Sequence, residues 1–181
     1  MASYEGGCLC GSVRYRLSAE PLTCYVCHCT DCQRRTGGAF AISLIVPAAA
    51  LELTRGTTSP YSATLADGRV KRGQLCTACG TRLWGEPVRN PAIRVLQPGT
   101  LDEPSHFPPV AHIWTRSAQP WVVFPAGVAL FAKQPEERMQ LAKLWQEQHG
   151  SAASSLSPNP SIEQTSQRPL RALWLAAHVE R

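Results

Sequence analysis

Cys76-Thr77-Ala78-Cys79-Gly80 is the stretch on which the fold turns. A Cys-x-x-Cys-Gly turn lets both sulfurs converge on one ion, with Gly80 supplying a backbone conformation that residues carrying a Cβ resist. It reads as a zinc knuckle, which supplies two ligands where a structural zinc takes four. The apt second pair is Cys8-Leu9-Cys10-Gly11, also closed by a glycine. The spacing therefore predicts a closed site of Cys8, Cys10, Cys76 and Cys79. Such a site ties the N-terminal strand to residues roughly seventy positions later, across loops that are otherwise costly to close, so its role is architectural.

The remaining cysteines behave differently. Cys27-His28-Cys29-Thr30-Asp31-Cys32 offers three closely spaced thiolates with no matching pair left in the chain. Three ligands leave one metal position open, which is the arrangement catalysis requires, and a substrate thiol is its best occupant because it is soft and easily ionised at a metal. Other readings stand beside this one. Cys24 could close the site as a fourth ligand, His28 could reach the ion or support it from behind, and the thiols could hold an iron-sulfur cluster or act as a redox dithiol.

Composition agrees with a metal site. The chain has 181 residues, enough for one domain and an extension. Its longest apolar stretch, 39–51, is interrupted by Ser43 and Pro47 and is too short to span a bilayer. The N-terminal residues resemble no secretory signal, so the expected compartment is the cytosol, where the 8 cysteines are metal ligands sooner than disulfides. The formal net charge of +5 falls to +2 if seven cysteines bind two Zn²⁺ as thiolates, which subtracts three charges. Arg and Lys are scattered in runs no longer than two, which reads as a solvated surface and predicts no nucleic-acid or membrane partner.

With 13 Gly and 15 Pro the chain turns often, and short alternating segments predict strands. These are 12–17, 40–46, 51–53, 70–75, 81–84, 92–96, 112–114 and 121–124. A helix is expected from Pro135 to His149, burying Leu141, Leu144 and Trp145 and stopped by Gly150. The predicted organisation is a mainly β zinc-binding domain over 1–132, a C-terminal helix over 133–149, and a Ser/Pro-rich linker and tail over 150–181 with a possible short terminal helix. Trp84, Trp114 and Trp121 read first as core and second as a ligand wall, while His106 and His112 read as packed or surface residues. Gly37 and Gly38 are either an ordinary turn or a place where backbone approaches a ligand.

Taken together, the 7–15 segment, Cys27 to Arg34 with Gly37-Gly38, 76–81, Pro98 to Asp102 and His112 to Trp114 resemble the glutathione-dependent formaldehyde-activating enzyme family, which includes centromere protein V. The resemblance covers residues 4 to about 125. It implies a β-tent zinc fold of stacked antiparallel sheets, with Cys8, Cys10, Cys76 and Cys79 on a structural zinc and Cys27, Cys29 and Cys32 on a labile catalytic one. Cys24 matches no ligand position there and reads as a buried thiol.

The implied activity is that of a carbon-sulfur lyase or synthase joining glutathione and formaldehyde into S-hydroxymethylglutathione. Arg34 and Arg35, directly after the metal loop, are the candidates to grip glutathione carboxylates, against the plain alternative of solvent-exposed arginines. The competing function is a non-catalytic thiol carrier or protein-binding module of the same fold. An interaction protein of the centromere type would need a strong basic arm, which the chain lacks. Nothing in the sequence fixes the oligomeric state.

Overall fold

In the strand Arg14–Leu17, Tyr15 and Leu17 turn inward while Arg14 and Arg16 stay at the surface, the alternation of a half-buried strand. The computed structural model describes residues 3–137 and 139–150; the expected linker and tail, with their possible terminal helix, lie outside the described residues. Eleven strands and two α-helices are formed: β1 Tyr4–Gly7, β2 Arg14–Leu17, β3 Thr23–Cys27, α1 Thr30–Thr36, β4 Ala41–Pro47, β5 Leu51–Arg55, β6 Thr58–Thr64, β7 Val70–Cys76, β8 Arg82–Gly85, β9 Ile93–Leu96, β10 Ala111–Ile113, β11 Ala129–Phe131 and α2 Gln140–Gly150.

They make two sheets. The smaller has the order β1-β2-β5, and the larger β11-β10-β3-β4-β9-β8-β7-β6. The expected mainly β architecture of stacked antiparallel sheets with a C-terminal helix is present, with one addition. At one edge of the larger sheet β10 runs parallel to both β3 and β11.

The sheets share one core. Leu17, Leu44, Leu83 and Leu96 are fully buried, and Tyr15 of the small sheet meets Trp84 of the large one edge to face at 6.1 Å. Each such side chain removed from water stabilises the fold by about 1.5–3 kcal/mol. Tyr15 Oη lies 2.7 Å from Thr100 Oγ1, which satisfies a hydroxyl that the core would otherwise strand. α2 lays Leu141 and Trp145 inward, and Thr23 Oγ1 of β3 donates to the Leu141 carbonyl at 2.9 Å.

Several expectations need correction. The helix begins at Gln140 and not at Pro135, because residues 136–137 bend first and Gln140 N closes on the Glu137 carbonyl. Residues 121–124 form no strand, and Trp121, expected in the core, is 68% exposed. Four strands escaped the periodicity. β1 is Tyr-Glu-Gly-Gly, β6 is a polar edge strand that tolerates Pro60, β11 is three residues long, and β3 is buried on both faces. No described helix is long and apolar enough to cross a membrane.

Candidate functional site

Two turns from different sheets bring four thiols together. Cys8 and Cys10 occupy the β1–β2 turn, while Cys76 ends β7 and Cys79 lies in the turn to β8. Backbone bonds repeat between them: Cys8 N to Val13 O and Gly11 N to Cys8 O in one, Cys76 N to Thr81 O and Gly80 N to Cys76 O in the other. Gly11 and Gly80 hold φ of 74° and 70°, the left-handed conformation each turn demands.

Cys8 and Cys10 Sγ are 3.4 Å apart, Cys10 and Cys76 Sγ 3.8 Å, and all four sulfurs lie within 4.8 Å of one another. Four sulfurs at about 2.3 Å from one tetrahedral ion would stand about 3.8 Å apart, so the set fits a single metal. Val13 N donates to Cys8 Sγ, and the Ser12 and Thr81 hydroxyls lie 3.2 and 3.1 Å from Cys10 and Cys79 Sγ. The Thr81 hydroxyl and backbone N–H hold the Cys79 thiol down, at about 5.

The second group occupies the connection between β3 and β4. Cys27 ends β3, Cys29 immediately precedes α1, and Cys32 lies buried within it. Cys27 and Cys29 Sγ are 3.5 Å apart and the three sulfurs lie within 4.8 Å. Contacts with Cys27 and Cys32 hold the Cys29 thiol well below its ordinary value, and the same contacts push Cys27 up.

Cys24 does not join them. An odd spacing of three along a strand turns it to the opposite face from Cys27, where it is fully buried and desolvation pushes its thiol up to about 12. His28 also faces away from the sulfurs. Its Nε2 lies 2.9 Å from His112 Nδ1, and Phe40 and Phe124 meet its ring edge to face. His106 lies exposed near Tyr4 and Phe107.

The metal loop is held by its backbone. Gln33 Nε2 donates to the carbonyls of His28 and Ser117, both at 2.7 Å, and Ser117 Oγ donates to the His28 carbonyl at 3.1 Å. Gln119 Nε2 in turn fixes Gln33 Oε1. The 114–117 turn begins at Trp114, whose φ of 59° is a strained conformation for an aromatic residue, and Arg116 stacks 4.9 Å over the Trp114 ring.

The three sulfurs open into a cleft of about 730 Å³, within the range of small-molecule sites. Six cations line it, Arg35, Arg69, Lys71, Arg72, Arg89 and Arg116, against two carboxylates, Asp31 and Glu86. Asp31 is engaged by Arg69 at 3.2 Å, and Glu86 accepts from Gln74 and Trp84. The scattered arginines are therefore not merely a solvated surface, because the fold gathers several of them around one opening.

The structure separates the arginine pair. Successive helical residues point about 100° apart. Arg35 turns toward the cleft, with Nη2 3.7 Å from Cys32 Sγ, while Arg34 is exposed outside it. Gly37 caps α1, its N–H closing on Gln33 O, and neither Gly37 nor Gly38 lines the cleft. Trp84 is buried, and Trp114 forms part of the cleft wall. Sequence reasoning missed Gln33, Ser117 and the β6–β7 hairpin cations. Only the proximity of Gln33 to the cysteines offered a signal.

The chain is similar to known proteins. Residues 3–117 match the model of a family described as "Glutathione-dependent formaldehyde-activating enzyme". A Halomonas elongata protein named "Putative glutathione-dependent formaldehyde-activating enzyme" is 32% identical over 124 residues, covering 65% of this chain and 78% of that protein. Among solved structures, a Rhodobacter sphaeroides protein aligns with a TM-score of 0.43 and 23% identity, over 54% of this chain and 87% of its own.

Proposed function

Because the chain belongs to the glutathione-dependent formaldehyde-activating enzyme family, we propose that it is a zinc-dependent carbon-sulfur lyase or synthase that forms and cleaves the glutathione adduct of formaldehyde. The observation that carries this reading is the convergence of Cys27, Cys29 and Cys32, a group of three and not four, at a cleft lined by cations.

In this reading Cys8, Cys10, Cys76 and Cys79 hold a structural zinc, and Cys27, Cys29 and Cys32 a second one with a free position. When bound there, zinc supplies a soft Lewis acid that keeps a substrate thiol ionised near neutral pH. The chain's own residues do the rest. The cleft cations that no carboxylate engages among the described residues, Lys71, Arg72, Arg89 and Arg116 among them, attract a peptide thiol carrying two carboxylates, and the Trp114 wall confines it.

The sulfur lone pair then forms a bond to the formaldehyde carbon as the carbonyl π bond breaks. The oxygen takes a proton from solvent, replacing the one the thiol released. Proximity and an ionised nucleophile carry the step in this reading, and the two carboxylates in the cleft are engaged by Arg69, Gln74 and Trp84. A cytosolic setting fits eight free thiols.

The test is zinc content per chain before and after mild chelation, with calorimetry of glutathione binding to both preparations and NMR exchange between glutathione and its hydroxymethyl adduct in formaldehyde. Two zincs falling to one, with glutathione binding lost and the fold kept, is the expected result, together with accelerated exchange in the loaded protein. Binding without acceleration would make the protein a thiol carrier. One tightly held zinc and no glutathione binding would overturn the reading.

A further inference from the structure

Beside Cys32 lie two guanidiniums, Arg35 at the cleft wall and Arg82 against the Arg35 backbone, that no carboxylate neutralises among the described residues. Arg35 and Arg82 are both half-buried, and Arg82 Nη1 approaches the Arg35 backbone carbonyl at 3.4 Å. Among the described residues neither makes an ion pair with Asp or Glu. Arg82 donates to the neutral Gln97 Oε1, and its buried Nε has no hydrogen-bond partner. Setting two like charges side by side in partly desolvated surroundings is costly, and a nearby counter-charge offsets that cost.

The counter-charge at hand is sulfur. Arg35 Nη2 lies 3.7 Å from Cys32 Sγ, and apart from the cysteines themselves it is the one side chain hydrogen-bonded to the three sulfurs among the described residues. The other cysteine group contrasts with it. Its sulfurs meet the Ser12 and Thr81 hydroxyls and the Val13 N–H, and Cys10 and Cys79 reach solvent, so no buried cation is needed there.

The charges then distinguish between states of the open site. A divalent ion on three thiolates carries one negative charge, which a water molecule as fourth ligand leaves unchanged. A thiolate as fourth ligand brings the total to two, which two guanidiniums balance.

We propose that Arg35 and Arg82 are a two-cation counter-charge that favours an ionised thiol over water at the open position of a metal held by Cys27, Cys29 and Cys32. This rests on the reading of that group as an open metal site. Arg35 and Arg82 are positioning residues: they act through the sulfurs and not on the aldehyde. The other groups facing this region are the Tyr25 phenol from β3, which bears on Cys27, Cys32 and Arg35, the Tyr61 phenol from β6, which bears on both arginines, Lys71 from β7, whose charge reaches Cys29, and Asp31, already engaged by Arg69. The cations at the exposed rim are screened by water and do less.

The experiment uses the full chain loaded with Co²⁺, whose sulfur-to-metal absorbance reports an added thiol ligand. Glutathione and the uncharged 2-mercaptoethanol are titrated across pH, with S-methylglutathione, which has no ionisable thiol, followed by calorimetry. In Arg82→Gln the metal content should be unchanged. The pH of half-binding for both thiols should rise by about one unit, roughly a tenfold loss of affinity below it, while S-methylglutathione is unaffected. Arg82→Lys should restore most of the loss. If Arg82→Gln fails to fold, Arg35→Gln is read with 2-mercaptoethanol, which has no carboxylate for a cleft cation to attract, and should show the same shift.

Unchanged thiol binding in these variants would overturn the proposal, as would an equal loss for S-methylglutathione. Wild-type protein that binds 2-mercaptoethanol with this pH behaviour but has no preference for glutathione would refute the glutathione reading and keep the counter-charge. Protein that binds neither thiol would refute both.

Discussion

His28 Nε2 and His112 Nδ1 share one hydrogen bond of 2.9 Å between rings stacked 5.1 Å apart, and His28 is fully buried between two metal-loop cysteines. The bond requires at least one neutral ring, and burial lowers the pKa of both, with His28 adding to the effect on His112. His112→Leu strands His28 Nε2 and should cost about 1–3 kcal/mol in chemical denaturation.

The pH dependence has a definite sign. A histidine whose folded pKa is lowered stays neutral while the unfolded chain takes up a proton, so its stabilisation is complete above an unfolded pKa of about 6.5 and falls as pH drops through it. The stability difference between wild type and His112→Leu should therefore shrink from about pH 8 to about pH 5. A difference that stays constant over that interval would refute the neutral pair.

Cys79→Ser and Cys29→Ser should separate the two cysteine groups. The first removes a ligand from the site joining the two sheets and should destabilise or unfold the domain, since structural zinc contributes on the order of 10 kcal/mol in small metal domains. The second should leave the circular dichroism spectrum intact and abolish thiol binding. Equal unfolding of both variants would show that the groups do not divide into structure and function.

Cys24 should be chemically silent. It is fully buried, with its thiol pushed up to about 12 by desolvation. In mildly chelated but folded protein, iodoacetamide followed by peptide mass spectrometry should modify Cys29 and leave Cys24 untouched until denaturant is added. Labelling of Cys24 at a rate matching Cys29 would contradict its burial.

Gln33→Ala removes two 2.7 Å hydrogen bonds that hold the metal loop. The expected result is about 1 kcal/mol of lost stability and a 10–100-fold weaker metal at Cys27, Cys29 and Cys32, typical of losing an outer support. Competition with a chromophoric chelator measures the affinity, and retention of the metal on the other four cysteines serves as the internal control.

The cysteine spacing was legible in the sequence because metal ligands in turns must lie close in the chain, and both groups converge as their spacing implied. Alternating strands such as β2 and β4 were legible for the same local reason. β3 was not, since a strand buried on both faces loses its alternation, and β6 and β11 lie at sheet edges with little apolar content. The six cations of the cleft come from positions 35 to 116 in sequence, and only the order of the strands places them together. Arg82 carried no sequence signal, because a buried arginine and an exposed one are written alike.

The four-cysteine site is assembled from two hairpin turns, each closed by its own backbone bonds and its own left-handed glycine. Each turn brings together two sulfurs that are neighbours in the chain, with no contribution from the other turn to its backbone bonds. Neither half alone completes a four-coordinate ion, so a metal would be held tightly only with the small sheet docked on the large one. A metal held by all four sulfurs would therefore act as a proofreader of assembly: a chain whose sheets meet in the wrong register would present two separated dithiols and hold such an ion weakly.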